Sequence, residues 1–337
     1  MTSVPVSAQE QTLQRSMFKS KYFALALIIL LLFLFPLTQL ITANNLNYYL
    51  HIMLFIFMYI AMSSSWNILG GYAGYISLGH NVFFAVGGYF SSYLLLREGY
   101  SPFVTAPIAG LVAMALAFLV GFITLRVRGP AFIISTIALV LVFRIRLDNW
   151  ERLGGANGLK LPLIDLPVQQ IKFPFYYGML LLAILTVYTS YRIRHSKFGL
   201  RLRAISQNET KAEASGIPTS FYKILAFAIS GYFVGVAGAM WGYYLTYITP
   251  SIFLLIFVGA QMVLMAILGG RGTVAGPVIG AIIMIATNEF FLSEFGSSEL
   301  NIFGTGAILA AVLLFFPDGI VGSLRKIGRL PAILDWD

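Results

Sequence analysis

Cysteine is absent from the 337 residues, which excludes a disulfide framework and any thiolate metal site. Histidine is scarce: His51, His80 and His195 are the three. No two of them stand at metal-ligand spacing, so no metal site is expected. Charge is scarce too, with Asp, Glu, Lys and Arg making up 10% of the chain against about 25% in a soluble protein. Catalytic signatures are missing as well. There is no G-x-x-x-x-G-K-[ST] phosphate loop, no G-x-S-x-G elbow and no H-E-x-x-H pair. The chain is therefore not read as an enzyme, and neither a catalytic residue nor a cofactor is assigned. If ATP drives what it does, the ATPase is another chain.

What is abundant is apolar. Hydrophobic residues make up 58% of the sequence, and the mean hydropathy is +0.84. The expected fold is all-α: a polytopic transmembrane helical bundle in a lipid bilayer. Apolar runs at 22–41, 48–68, 72–96, 103–125, 130–147, 174–191, 224–247, 251–268, 274–291 and 300–316 give about ten spans. The first reads as an uncleaved span rather than a signal peptide, because no small-x-small cleavage site follows it. Flanking this membrane domain (22–316) are a polar tail at 1–21 and another at 317–337. The net charge of +9 does not point to nucleic acid, since the bases sit between apolar runs. With the N-terminus inside, sixteen of the 22 Lys and Arg residues fall on the cytoplasmic side. That bias predicts both termini in the cytoplasm.

The longest soluble-looking stretch, 191–223, carries seven of those bases. It contains a short helix, predicted over about 207–215. Ser206 and Glu209 have the spacing of a capping box, in which hydroxyl and carboxylate satisfy free backbone N–H groups reciprocally. Gly216 is suited to close the helix in a left-handed conformation, and Pro218 forbids continuation. So short a helix is marginal alone and needs something to pack against. Glu209 and Glu213 share a face, with Ala212 beside them. Glu209 either completes the cap over Ser206 or pairs with a base on a partner.

Inside the spans, glycine and polar residues carry the signal. Gly231, Gly235, Gly238 and Gly242 recur at i, i+4, i+7 and i+11, a helix face that lets two backbones approach closely. The tetrapeptide Ile-Leu-Gly-Gly occurs at Ile68–Gly71 and again at Ile267–Gly270, a weak mark of an internal repeat. Gly74, Ser77 and Asn81 are predicted to share a helix face with His80 adjacent, roughly 12 Å into the membrane. Those residues either line a transport path or hydrogen-bond buried helices together. Asn288 and Glu289 fall near the outer end of a span, where a carboxylate reaches interfacial water. Two function classes follow. An ion-coupled carrier places ionisable groups at mid-membrane, and the spans have almost none. The capped basic-loop helix favours the other class, the permease half of an ATP-driven transporter.

The loop also resembles a known family. Gly199, Arg203-Ala204-Ile205, Asn208-Glu209, Ala212-Glu213-Ala214, Gly216, Tyr222-Lys223 and Ala226-Phe227 are similar to the cytoplasmic-loop signature of permease subunits in ABC importers for branched-chain and other hydrophobic amino acids. Ser206 and Lys211 depart from it, where the family often has Arg and Ala. Further blocks resemble the family: Asn67–Gly74 with Ser77–His80, Arg128-Gly129, Gly154-Gly155 with Asn157-Gly158, and Leu268–Gly270 with Gly272 through Pro277. The resemblance implies an importer of a bacterial inner membrane with a second homologous permease, two cytoplasmic ATP-binding subunits and an extracytoplasmic binding protein. It also implies that loop 192–223 carries the ATPase-coupling helix, with Arg203, Asn208, Glu209, Ala212, Glu213 and Gly216 in it. Of the two readings of Ser77, His80 and Asn81 given above, the transport path suits such a permease, and buried hydrogen bonding stands beside it. Related permeases serve urea and short-chain amides, which stand as the alternative substrates.

Overall fold

The computed structural model describes residues 23–39, 46–167, 170–296 and 303–336, the last without 305, 308–309, 312–313 and 332–333. The expected tail 1–21 lies outside them, and the expected span 300–316 lies only partly within them. The chain folds as α1 (Phe23–Gln39), α2 (Asn47–Gly70), α3 (His80–Glu98), α4 (Pro102–Thr124), α5 (Pro130–Asp148), β1 (Leu159–Lys160), α6 (Lys172–Arg194), α7 (Lys197–Gln207), α8 (Glu209–Ala214), α9 (Thr219–Leu245), β2 (Tyr247–Ile248), α10 (Pro250–Phe253), α11 (Ile256–Gly269), α12 (Ala275–Phe295) and α13 (Gly319–Lys326). Among the described residues the fold is all-α apart from the two-residue ribbon β1–β2.

Among the described residues, seven helices are long and apolar enough to cross a membrane: α2, α4, α5, α6, α9, α10–α11 together, and α12. Two of these are central. The apolar windows of α2 and α9 are each 78% buried by their neighbours, against 22% for α5 at the periphery. Packing rather than polarity separates them, because a helix apolar all round is content in protein or in lipid. By contrast α3 falls below that apolarity. Its polar side chains His80, Asn81, Ser91 and Ser92 are all fully buried, between α9 and α4 and their neighbours, so lipid does not meet them.

Close approach of backbones sets the centre. A Cβ on Gly231 would stand 2.6 Å from Ala117 Cβ, and one on Gly235 2.4 Å from Ala113 Cβ, both on α4. Gly238 turns instead to α3, where a Cβ would meet the Phe84 carbonyl oxygen at 1.9 Å, and Gly242 faces Ile248. The glycine face of α9 is thus divided among three neighbours. On α4 the matching positions are Ala106, Ala109, Gly110, Ala113 and Ala117, all buried.

Two expectations are corrected. The apolar run 72–96 is not one helix: α2 stops at Gly70, and the chain runs irregularly to Gly79 before α3 starts at His80. Gly74 has φ +81°, which no right-handed helix accommodates. Gly74 and Ser77 therefore share no helix face with Asn81, and a depth counted at 1.5 Å per residue from Tyr72 does not apply. The run 251–268 is also broken, at Leu254–Leu255 between α10 and α11.

The loops gather at two ends. At one, Asn67 Nδ2 donates to Thr273 O (2.8 Å) and Gly272 N donates to Asn67 Oδ1 (2.9 Å). These bonds tie together the two Ile-Leu-Gly-Gly ends of α2 and α11. The segments 71–79, 125–129, 195–218 and 270–274 meet there. At the other end, β1 pairs antiparallel with β2, Leu159 opposite Ile248, and Lys172 Nζ donates to Asn47 O (2.9 Å).

Candidate functional site

The site lies at the first of these ends and is centred on α8. Ser196 opens α7 by accepting from Gly199 N (3.2 Å), and α7 then runs as far as Gln207. Ser206 is consequently helical, and its hydroxyl packs over Gly74. The predicted capping box of Ser206 and Glu209 does not form. Asn208 breaks the helix with φ −162° and ψ 105°, and its Oδ1 caps α8 by accepting from Lys211 N (3.0 Å). At the other end Gly216 adopts φ +82°, Gly216 N donates to Glu213 O (2.9 Å) and Ile217 N to Ala212 O (3.1 Å). That pair of bonds is a Schellman motif closed by glycine, as the sequence predicts.

Released from capping, Glu209 turns inward and is only 8% exposed. Its Oε1 accepts from Lys223 Nζ at 2.5 Å and lies 3.2 Å from Thr219 Oγ1. Its Oε2 accepts from the Tyr75 hydroxyl and forms an ion pair with Arg128, whose Nε lies 3.0 Å away. Lys223, on α9 and 3% exposed, also donates to Tyr75 Oη (3.0 Å) and to Leu125 O (3.2 Å). Its three N–H groups are thereby all used. Glu213 is half-exposed, receiving Thr219 Oγ1 at 2.6 Å and standing 3.6 Å from Arg128 Nη2. Burial by itself pushes the Glu209 carboxyl up. The hydrogen bonds from Lys223 and Tyr75 and the charges of Lys223 and Arg128 outweigh that and hold it below the usual carboxylate range.

The cluster thus joins α8 to the loop before α3, the α4–α5 connection and the foot of α9. Two acids and two bases balance, and the buried Glu209 and Lys223 compensate each other where a single buried charge would not be tolerated. The remaining predicted loop residues take distinct places. Ala212 is buried beneath α8, Asn208 and Gly216 are exposed at its two ends, and Arg203 lies on α7 with its Nε buried. Tyr75, Thr219 and Lys223 were not assigned by sequence. A lysine inside the apolar α9 is the signal that points to one of them.

Ser77, His80 and Asn81 form a second polar group, fully buried within the chain. His80 Nε2 lies 3.0 Å from Ser230 Oγ. The Ser230 hydroxyl donates to Phe227 O (2.8 Å), so Nε2 is the donor toward it. Phe83 and Phe227 flank the ring edge-on. Ser65 Oγ donates to Ser230 O (2.6 Å), Trp66 Nε1 to Ser77 O (2.8 Å) and Asn81 Nδ2 to Leu255 O (3.1 Å). His80 Nδ1 and Asn81 Oδ1 are buried with no protein partner. This seam links α2, α3, α9 and the start of α11.

The described helices form a multi-pass bundle with a short capped helix clamped at one end. Residues 48–316 match the family described as "Branched-chain amino acid transport system / permease component", and the chain belongs to that family. It is a transport component and not an enzyme. It is similar to the "High-affinity branched-chain amino acid transport system permease protein LivM" of Escherichia coli (strain K12), 27% identical over 80% of this chain and 68% of the relative. It also resembles the "High-affinity branched-chain amino acid transport system permease protein LivH" of Salmonella typhimurium, 33% identical over 39% of this chain and 41% of the relative. A third relative is the "Probable branched-chain amino acid transport permease protein LivH" of Methanocaldococcus jannaschii, 25% identical over 73% of this chain and 82% of the relative. No solved structure matches.

Proposed function

We propose that this permease imports branched-chain or other hydrophobic amino acids across a bacterial inner membrane, driven by two cytoplasmic ATP-binding subunits, one of which docks on α8. The observation that carries this reading is the clamp on Glu209. It anchors the inner side of α8 to three membrane elements, while Thr210, Lys211, Ala214 and Ser215 stay exposed on the outer side. A lever needs both features, a free face for the partner and a rigid connection to what it moves. Glu209 then acts from within, and the outward residues make the contact. The buried acidic and basic side chains among the described residues are His80, Glu209 and Lys223. Glu209 and Lys223 satisfy each other at the end of the bundle, which disfavours an ion-coupled carrier.

On this reading the chain has ten spans with both termini in the cytoplasm. The clamp end, which holds Arg126, Arg128, Arg201 and Arg271, is the inner one. The opposite end, with the β1–β2 ribbon and the exposed Glu151, Arg152 and Lys160, receives the binding protein, and a second homologous permease completes the path. Co-purification tests the docking. Lys211→Glu with Ala214→Arg should leave membrane insertion unchanged and strip off the ATP-binding subunits. Full retention of those subunits overturns the assignment. Uptake of labelled leucine against labelled urea, with the cognate binding protein, reads the substrate. Urea uptake without leucine uptake overturns that part.

A further inference from the structure

The elbow between α6 and α7 surrounds an open cavity of about 380 Å³ lined by Arg194, His195, Ser196, Lys197, Leu200 and Arg203. Three of these six are fixed cations, and no carboxylate is among them. The turn is tightly built. Ser196 Oγ donates to Ile193 O (2.7 Å) while accepting from Gly199 N. Gly199 passes so close that a Cβ would stand 2.0 Å from the Ile193 carbonyl oxygen. The first turn of α7 adds the positive end of its dipole. From one turn further along, Arg203 reaches back until its Nη2 is 3.5 Å from Arg194 O. Its Nε is buried and has no partner in the protein.

The surroundings indicate which anion. On the outer face of α6, Leu181, Leu185 and Tyr188 are 57%, 47% and 56% exposed. They stand at i, i+4 and i+7, and the same exposed line continues through Arg192 to His195 at the cavity. Leu200 at the rim is 61% exposed. A soluble phosphate uses the bases alone, whereas an apolar stripe running into a basic cavity suits acyl chains beneath a charged headgroup. We propose that this elbow is a headgroup site for an anionic phospholipid, with the phosphodiester between Arg194, Lys197 and Arg203 and the acyl chains along Leu181, Leu185 and Tyr188. Because α7 reaches α8 through Asn208 alone, a seated headgroup also fixes the approach of α8. That consequence rests on the docking role proposed above; the binding itself does not.

Native mass spectrometry of the full chain in detergent, with any subunits that remain attached, tests the site. The chain is mixed with equimolar phosphatidylglycerol and phosphatidylcholine of the same acyl composition, and separately with millimolar inorganic phosphate. Phosphatidylglycerol should be retained over phosphatidylcholine. Lys197→Gln should lower that retention about fivefold, the effect of one base near an anionic headgroup. Lys197→Gln with Arg203→Gln should lower it further. Arg126→Gln, at the same end but outside the cavity, should leave it unchanged. Lys197 is exposed, so its single substitution decides the matter if the double variant does not fold. Equal retention of the two lipids overturns the proposal, as does wild-type retention in Lys197→Gln. Retention of inorganic phosphate without phosphatidylglycerol overturns the lipid as its source.

Discussion

Lys223 and Glu209 meet across 2.5 Å with both side chains buried, one near the foot of α9 and the other at the start of α8. They stand fourteen positions apart in the chain, and the rest of α8, the Gly216 turn and Pro218 lie between them in sequence. Tyr75 and Thr219 hydrogen-bond the carboxylate, Arg128 forms an ion pair with it, and the ammonium donates to Tyr75 and Leu125 O. Removing one partner of such a pair leaves the other charge buried and unpaired, at a cost of about 3–5 kcal/mol.

Glu209→Gln should therefore detach α8 from the bundle while the spans stay inserted. Tryptic cleavage at the exposed Lys211 should rise about tenfold or more, and the ATP-binding subunits should co-purify less. Combining Glu209→Gln with Lys223→Met should restore part of the protection, because no charge is then left unpaired. Wild-type cleavage kinetics in Glu209→Gln would show that the clamp does not hold α8.

Capping gives a smaller and separable effect. Asn208→Ala removes the acceptor for Lys211 N and should cost about 1 kcal/mol of α8 stability. Ser206→Ala removes no cap and should cost less. Amide hydrogen exchange over 209–214 ranks the two variants. Faster exchange in Ser206→Ala than in Asn208→Ala would restore the capping box.

How much of this was legible depends on which interactions are local. The Gly216 closure is written in neighbouring residues and reads correctly. The N-terminal cap was equally local but ambiguous, since Ser206-x-x-Glu209 and Asn208-x-x-Lys211 overlap in the same few residues. What decides between them is tertiary: Glu209 is claimed by Lys223 and by Tyr75, 134 positions earlier. Hydropathy carried the spans as runs and began one at Tyr72, although Gly71, Gly74 and Gly79 already mark 71–79 as a poor helix. The left-handed Gly74 and its contact with Ser206 impose the break, and they exist only in the folded chain. The glycine spacing on α9 was visible, but not its division between α4, α3 and Ile248.

That division makes a ranking. Gly238→Ala places a Cβ 1.9 Å from a backbone oxygen of α3, and Gly87→Ala one 2.0 Å from Gly235 O. Neither backbone gives way without separating α3 from α9, so both variants should lower the yield of folded, monodisperse protein severalfold. Gly216→Ala meets nothing within 4 Å and bears only the left-handed strain, about 1 kcal/mol. It should fold normally with a frayed α8. Size-exclusion profiles after detergent extraction separate these outcomes, and a normal Gly238→Ala profile would contradict the α3–α9 contact.

Acid should release the clamp. The Glu209 carboxyl is held below its ordinary value in the folded chain, so the unfolded form binds a proton at higher pH than the folded one. Its contribution to stability is therefore fully present above the unfolded carboxylate value, about pH 4. It falls away as pH drops through the lower folded value. At neutral pH no titration is expected. Below about pH 4, protonation removes the charge that Lys223 and Arg128 face, and two bases are left together beside Tyr75. Exchange at the amides of 209–214, corrected for its intrinsic pH dependence, should accelerate in that window in the wild type. Glu209→Gln, which has no proton to gain there, should exchange fast at every pH and show no step. A step of the same size in both proteins would show that the acid response does not come from Glu209.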